Sequence, residues 1–303
     1  MAKTIPPSVI MYRPPVEAFS ILIAVTGGCS WNKCRFCGMY KNADGTPIQE
    51  HAIRPLEDVL RDIDSFSAKN YHGYPVFLAG GNATAAPTDY LVNVITHVRK
   101  KLNNVPRISC YCKALDVLRK SDEELKLLAK AGLNIVYMGL ESGSNKILRI
   151  MKKGTNAESF IKAGKRLLNA GIKLSMYVLL GLGSYEFSKE HVSETARVLT
   201  EINPTIFRFR TLNMVPTAPL WNEWNAGKFE LLKPVDCIRE ERNIIAQLGE
   251  NVTSQVFNDH VSNYCSIQSS NIKTDRELFI KTLDSYINDP RIRNLPRENR
   301  VSL

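Results

Sequence analysis

Long apolar runs are missing from this chain. The two longest, residues 21–25 and 176–182, fall far short of the roughly 20 residues that carry a helix across a bilayer. The opening residues, MAKTIPPSVIMYRPP, contain no apolar core of the kind a secretory leader needs. Export is not expected, and the cytoplasm is the expected location. No Gly-x-Gly-x-x-Gly follows the first predicted strand and no Walker loop occurs anywhere, which argues against a doubly wound nucleotide-binding fold. An appended module of basic and aromatic repeats is also missing, so nucleic acid is a possible but not favoured partner. Seven cysteines make an odd count in 303 residues, and a disulfide framework does not fit them.

What remains is ordinary in bulk. A hydrophobic content of 44% against 23% charged residues suits a globular chain, and the length fits one large domain with an extension. The net charge of +10 favours anionic partners, but the Lys and Arg residues are dispersed, and a solvated basic surface explains them equally.

Apolar runs alternate with helical patterns at a regular beat. Strands are expected at 21–26, 76–79, 107–112, 134–140, 173–180 and 205–212, with helices at 55–68, 88–101, 122–131, 156–170 and 186–202. Ser121 and Glu124 have the spacing of a capping box, and Gly132 marks the stop of that helix. Six strand-then-helix units in series predict an α/β fold, a partial (β/α)6-type TIM barrel. A segment at 1–19 precedes the core barrel at 20–215, and a C-terminal extension at 216–303 is expected to cover the barrel mouth and set specificity. That extension holds a helix at 235–248, a possible further strand at 252–257, a helix at 275–287, and a polar tail from 290 expected to be poorly ordered.

Three of the cysteines, Cys29, Cys34 and Cys37, lie close together in the loop after the first strand. Thiolates are the usual ligands of iron–sulfur clusters, and three of them leave one iron of a [4Fe–4S] cube open for an exogenous ligand. A structural zinc site or plain thiols are the competing explanations, although zinc wants a fourth ligand at regular spacing and none stands downstream.

In its order of motifs the chain resembles the radical S-adenosylmethionine (SAM) superfamily, in the branch of anaerobic coproporphyrinogen oxidase and the methylthiotransferases. Phe36 stands at the aromatic position before the third cysteine, and the first cysteine gap is one residue longer than the usual Cys-x3-Cys-x2-Cys. The resemblance implies a [4Fe–4S] cluster and SAM as cofactors, with SAM cleaved reductively to a 5′-deoxyadenosyl radical that abstracts a substrate hydrogen. It further implies that Gly80-Gly81-Asn82 holds the SAM amino group, with Asn82 where the family has an acid. Glu141 and Ser142 would reach SAM's amino or ribose groups, and Gly181 would lie under adenine. Lys152-Lys153-Gly154 stands where that branch often has Lys-Gly, and Phe207–Leu212 resembles its sixth-strand segment. Alternation puts Arg208 and Arg210 on one face of that strand, where Arg210 is expected to serve SAM or a small-molecule or anionic substrate and Arg208, one layer deeper, a protein carboxylate. An external one-electron donor, flavodoxin- or ferredoxin-like, is the implied partner. A non-catalytic Fe–S or zinc protein, a sensor or nucleic-acid binder, is the alternative from another class.

Several residues stay open at this level. Cys110, Cys112, Cys237 and Cys265 are either buried thiols or ligands of a second cluster. His260 contacts substrate if the strand at 252–257 extends the barrel, and otherwise sits in a surface turn. Tyr111 lines a pocket or packs in its strand, and Trp221 and Trp224 pack or cover the mouth.

Overall fold

The computed structural model describes residues 9–297. Its strands are β1 (Ile21–Ala24), β2 (Thr26–Gly27), β3 (Ala52–Ile53), β4 (Val76–Ala79), β5 (Ile108–Cys112), β6 (Leu133–Glu141), β7 (Lys173–Leu180), β8 (Ile206–Thr211), β9 (Gln255–Asn258) and β10 (Ile267–Ser269). The helices are α1 (Leu56–Ala68), α2 (Thr88–Lys101), α3 (Ala114–Leu118), α4 (Asp122–Ala131), α5 (Asn145–Ile150), α6 (Ala157–Asn169), α7 (Ser188–Ile202), α8 (Leu220–Asn225), α9 (Pro234–Gln247), α10 (Ile272–Asn288) and α11 (Pro290–Arg293). Eight strands form one sheet in the order β1-β4-β5-β6-β7-β8-β9-β10, and β2 pairs with β3 apart from it. No described helix is long and apolar enough to cross a membrane.

All six expected strand–helix units are present, as an α/β fold with a mostly parallel sheet. β9 adds a parallel strand beside β8, and β10 returns antiparallel to β9. Three details differ from expectation. The first strand stops at Ala24, and Thr26–Gly27 pairs antiparallel with β3 instead of extending β1. The short helices α3 and α5 and the strand β10 were not anticipated, because three to six residues carry too little periodicity to be seen. Residues 290–297 are not a loose tail: α11 forms with Asp289 as its cap, and Arg297 packs on the Tyr264 ring and donates to the Leu212 carbonyl. The rest of that tail and residues 1–8 of the N-terminal segment lie outside the described residues.

Local chemistry accounts for these elements. β4 is Val-Phe-Leu-Ala, buried at every position, as parallel strands covered on both faces require. Helix α4 opens with the full capping box: the Glu124 N–H donates to Ser121 Oγ at 3.1 Å, and the Ser121 N–H to the Glu124 carboxylate at 2.6 Å. It closes at Gly132, whose φ of 118° is open to glycine.

The chain divides into two compact units. Among the described residues, the first comprises 9–32, 39–138 and 165–174, and holds β1, β4 and β5 with most of β6. The second comprises 33–38, 139–164 and 175–297, and holds most of β7 with β8, β9 and β10. In the second unit α9 packs against both α7 and α10.

A buried carboxylate organises the first unit. Glu17 is fully buried and accepts hydrogen bonds from Arg107 at 2.8 Å, from Ser109 at 2.8 Å, and from Ser20 and Tyr137. It ties the entering chain to β5 and β6. Burial alone would raise its pKa, but the hydrogen bonds outweigh burial and hold the carboxyl below its ordinary value. A lowered folded-state pKa means stability that is present above the unfolded-state value and lost as pH falls through the folded one. Glu17→Gln should therefore cost about 2–3 kcal/mol at neutral pH, the loss of charge-assisted hydrogen bonds. Urea unfolding should show that gap at pH 7 and a much smaller one in acid, where the wild-type carboxyl is itself protonated.

Candidate functional site

In the first unit the candidate residues gather where β2 and β4 end. The Gly81 N–H donates to the Gly28 carbonyl at 2.9 Å, which brings the two backbones into contact beside Cys29. A Cβ on Gly81 would lie 2.2 Å from the Gly28 carbonyl oxygen and 2.6 Å from the Cys29 Cα, so only glycine permits this approach. Asn82 is fully buried, and its side chain is already engaged. Its Oδ1 accepts from the Ser30 N–H at 3.2 Å, and its Nδ2 donates to Asp116. The Asn82 side chain thus anchors the residue after Cys29. Lys113 donates to Ser30 Oγ at 3.1 Å and lies over the Trp31 ring, completing the clasp on the loop.

In the second unit, residues 33–38 bring Cys34, Phe36 and Cys37 against the end of α5. The Arg35 N–H donates to the Met151 carbonyl at 3.0 Å and its guanidinium to the Ile150 carbonyl at 2.9 Å. These are last-turn carbonyls that the helix itself cannot satisfy. Arg35 also pairs with Glu223 of α8, and Thr217 Oγ1 donates to the Gly38 carbonyl at 3.1 Å. The cysteine segment is thereby fastened on both sides.

Beside it stands an ion pair that sequence reasoning did not single out. Lys153 Nζ lies 2.9 Å from Glu141 Oε1, with side-chain exposures of only 17% and 15%. The same ammonium lies 5.7 Å from the centre of the Phe36 ring. Burial alone would lower the Lys153 pKa; the Glu141 carboxylate and the nearby Cys34 and Cys37 sulfurs outweigh it and push it up. Lys153 is therefore a fixed positive charge. Glu141 has φ +64°, a conformation few side chains adopt, and it folds back across Gly139. A Cβ at 139 would meet Glu141 Oε1 at 2.0 Å, so that glycine makes the room. The sequence signal for Lys153 was its place before Gly154, which caps the turn after α5 with φ +76°.

Ser142 and Gly181 are held from behind. Ser142 is buried, and its hydroxyl bonds to His191 Nδ1 at 2.9 Å and accepts from the Ser144 N–H at 3.1 Å. Burial pushes the His191 pKa down to about 4, so the ring is neutral. The Gly181 N–H donates to Glu240 Oε2 at 2.7 Å, and burial pushes the pKa of that carboxyl up to about 7.

On β8, Phe207 and Phe209 are fully buried, and Arg208 and Arg210 take the other face. Arg208 stacks on Phe257 and lies 3.4 Å from Asp259. Arg210 stacks on Tyr177, and its Nη1 donates to His260 Nε2 at 2.9 Å. Because β9 extends the sheet, His260 reaches the end of β8 instead of sitting in an outlying turn. Burial, with the Arg210 charge added, pushes its pKa down to about 4. Glu141 is engaged by Lys153 and not by either arginine.

The open cases resolve toward packing. Tyr111 makes an edge-on contact with Phe77, and Trp221 and Trp224 lie against each other on the apolar cluster of α5 and α8. Cys110, Cys112, Cys237 and Cys265 are buried, and burial raises the pKa of each thiol. Among the described residues no three Cys, His, Asp or Glu side chains are pre-gathered as a ligand set. The donor chemistry of Cys29, Cys34 and Cys37 nevertheless fits an iron–sulfur cluster: none is in a disulfide and all are partly exposed.

Comparison with known proteins decides the family. The radical SAM superfamily model matches residues 23–199, more than half of the chain. The chain belongs to the radical SAM superfamily. It is 22% identical to biotin synthase of Acetivibrio thermocellus over 74% of its own length and 66% of the relative's. It is 27% identical to the tRNA-2-methylthio-N(6)-dimethylallyladenosine synthase of Psychrobacter arcticus, over 56% of this chain and 34% of that one. The structure of coproporphyrinogen III oxidase from Escherichia coli shares the fold, with a TM-score of 0.55 at 18% identity, covering 75% of this chain and 52% of the other. The chain thus spans no more than about two-thirds of any of these three. Radical SAM enzymes generally cleave SAM at a [4Fe–4S] cluster with an electron from a donor, and solved members carry the cluster and a SAM analogue. Nothing in these similarities favours a non-catalytic sensor.

The Gly81 contact can be tested directly. Gly81→Ala should push the Gly28–Cys29 backbone away, with an overpacking cost of about 1–3 kcal/mol. Thermal unfolding should show the loss, and anaerobic reconstitution should show reduced iron per chain; a fully iron-loaded, equally stable variant would contradict the geometry.

Proposed function

We propose that this radical SAM chain cleaves SAM reductively at a [4Fe–4S] cluster ligated by Cys29, Cys34 and Cys37, and directs the resulting radical at a small anionic substrate. The observation that carries the proposal is that, within one unit, the segment of Cys34, Phe36 and Cys37 is brought to the Lys153–Glu141 pair, with the Phe36 ring 5.7 Å from the Lys153 ammonium. When bound, the cluster supplies the electron that breaks SAM's sulfonium C–S bond, giving a 5′-deoxyadenosyl radical and methionine.

This chain's residues bind and orient. Gly80 and Gly81 offer backbone carbonyls to the SAM amino group, and Asn82 steadies the loop that carries Cys29 instead of contacting SAM through its side chain. Glu141 accepts hydrogen bonds from SAM's ammonium or ribose hydroxyls, with Lys153 keeping it ionised. Ser142 lines the SAM site without its hydroxyl, which is engaged by His191, and Gly181 lies under adenine as a side-chain-free surface, its N–H held by Glu240. Arg210, with no carboxylate partner among the described residues, binds the carboxylate or phosphate of substrate, and Asp259 holds Arg208 in support. Residues 20–215 act as the SAM-cleaving core. Residues 216–303 set specificity, supported by His260 on Arg210 and by Arg297 on the end of β8. The electron comes from a flavodoxin- or ferredoxin-like donor, and the chain works in the cytoplasm.

The test is anaerobic. Reconstituted protein with dithionite and SAM should yield 5′-deoxyadenosine and methionine, and the triple cysteine-to-alanine variant should lose about four irons per chain. Methylthioadenosine as the main product, or a zinc-loaded protein from anaerobic growth, would refute the assignment. Arg210→Lys should keep the iron and SAM cleavage but lose substrate turnover, because lysine cannot form the bidentate contact.

A further inference from the structure

The Lys153 ammonium occupies a position that the binding of SAM alone does not explain. It touches the Glu141 carboxylate on one side, and on the other lies 5.7 Å from the centre of the Phe36 ring, which stands between Cys34 and Cys37 in the chain. Its side chain is 83% withdrawn from solvent, so its field is poorly screened. The position is also built. Gly139 clears space for the carboxylate, the turn at Lys152 (φ +51°) and Gly154 throws the lysine back over the strand end, and Arg35 fastens the cysteine segment to the same helix terminus. A lysine used only to neutralise Glu141 would need none of the last.

We propose that Lys153 is a positioning residue whose ammonium sets the reduction potential of the cluster held by Cys34 and Cys37, while fixing Glu141 for SAM. The inference rests on the cluster assignment made above. Reduction adds a negative charge to a group already ringed by thiolates, and a fixed cation beside two of them stabilises the reduced state. Glu141 opposes this effect, because its carboxylate offsets part of the lysine's charge. A cofactor that draws hydrogen bonds from Glu141 would change that offset, so the same ion pair links the SAM site to the ease of cluster reduction. No bond is made or broken by Lys153, and the electron still comes from the external donor.

The experiment measures the midpoint potential of the reconstituted protein without SAM, by redox titration followed by electron paramagnetic resonance. Lys153→Met removes the charge at nearly constant size and should make the cluster harder to reduce. The expected shift is at least tenfold in the ratio of reduced to oxidised cluster at a fixed potential, or 59 mV for one electron. Lys153→Arg should restore most of it. Glu141→Gln should shift the potential the opposite way, since the lysine charge is then unopposed, and this variant decides the matter should Lys153→Met fail to hold iron. A wild-type protein that assembles no cluster overturns the assignment and this inference together. A normal cluster whose potential is unmoved by Lys153→Met, or shifted negative or unmoved by Glu141→Gln, overturns the inference alone.

Discussion

At the carboxyl ends of its strands this chain has to turn sharply, and it does so through residues in the left-handed region. Gly28 after β2, Gly80 after β4, Glu141 at the end of β6 and Gly181 after β7 all have positive φ. These turns carry or adjoin the residues proposed to bind SAM. Three of the four use glycine, for which the conformation carries little penalty. Glu141 is the exception, and non-glycine residues held there are strained. Its strain is sustained by what surrounds it: Lys153 at 2.9 Å and the gap left by Gly139. The Glu141 carboxylate is thereby kept in one orientation, at the cost of demanding a particular lysine and a particular glycine.

Charge is arranged around this constraint with few loose ends. In the second unit the buried titratable groups flanking the strand ends are held neutral or paired. His191 and His260 are pushed down to about 4 by burial, while Lys153 and Glu141 neutralise each other. Arg210 differs: its neighbours are a neutral imidazole and an aromatic face, which orient a guanidinium without discharging it. A positive charge fixed in direction but not cancelled is what an anionic ligand requires. The first unit shows the contrasting solution, in which Glu17 is saturated by four side chains and serves stability alone.

Much of this was legible in the sequence, and the reason is local. Alternating apolar runs and helical stripes announce parallel strands and crossovers because side-chain periodicity is a property of neighbouring residues. The capping box of α4, the spacing of Cys29, Cys34 and Cys37, and the alternation of Phe207 and Phe209 with Arg208 and Arg210 are all short-range patterns. So were the glycines at strand ends. Elements of three to six residues, such as α3, α5 and β10, were invisible because they are made by tertiary contacts and not by their own propensity.

Sequence alone thus determined the α/β class, the order of the units and the donor atoms available for a cluster. Tertiary structure decided which side chains those donors meet. Glu17 finds Tyr137 across 120 residues, Arg210 finds His260 across 50, and Asn82 spends its amide on Ser30 and Asp116. Lys153 was visible in the sequence only as part of a Lys-Lys-Gly segment, until the turn after α5 placed it on Glu141 and beside the Phe36 ring. A lysine's role depends on the charges within a few ångströms of its ammonium, and distances of that kind are set by packing, which no local pattern records.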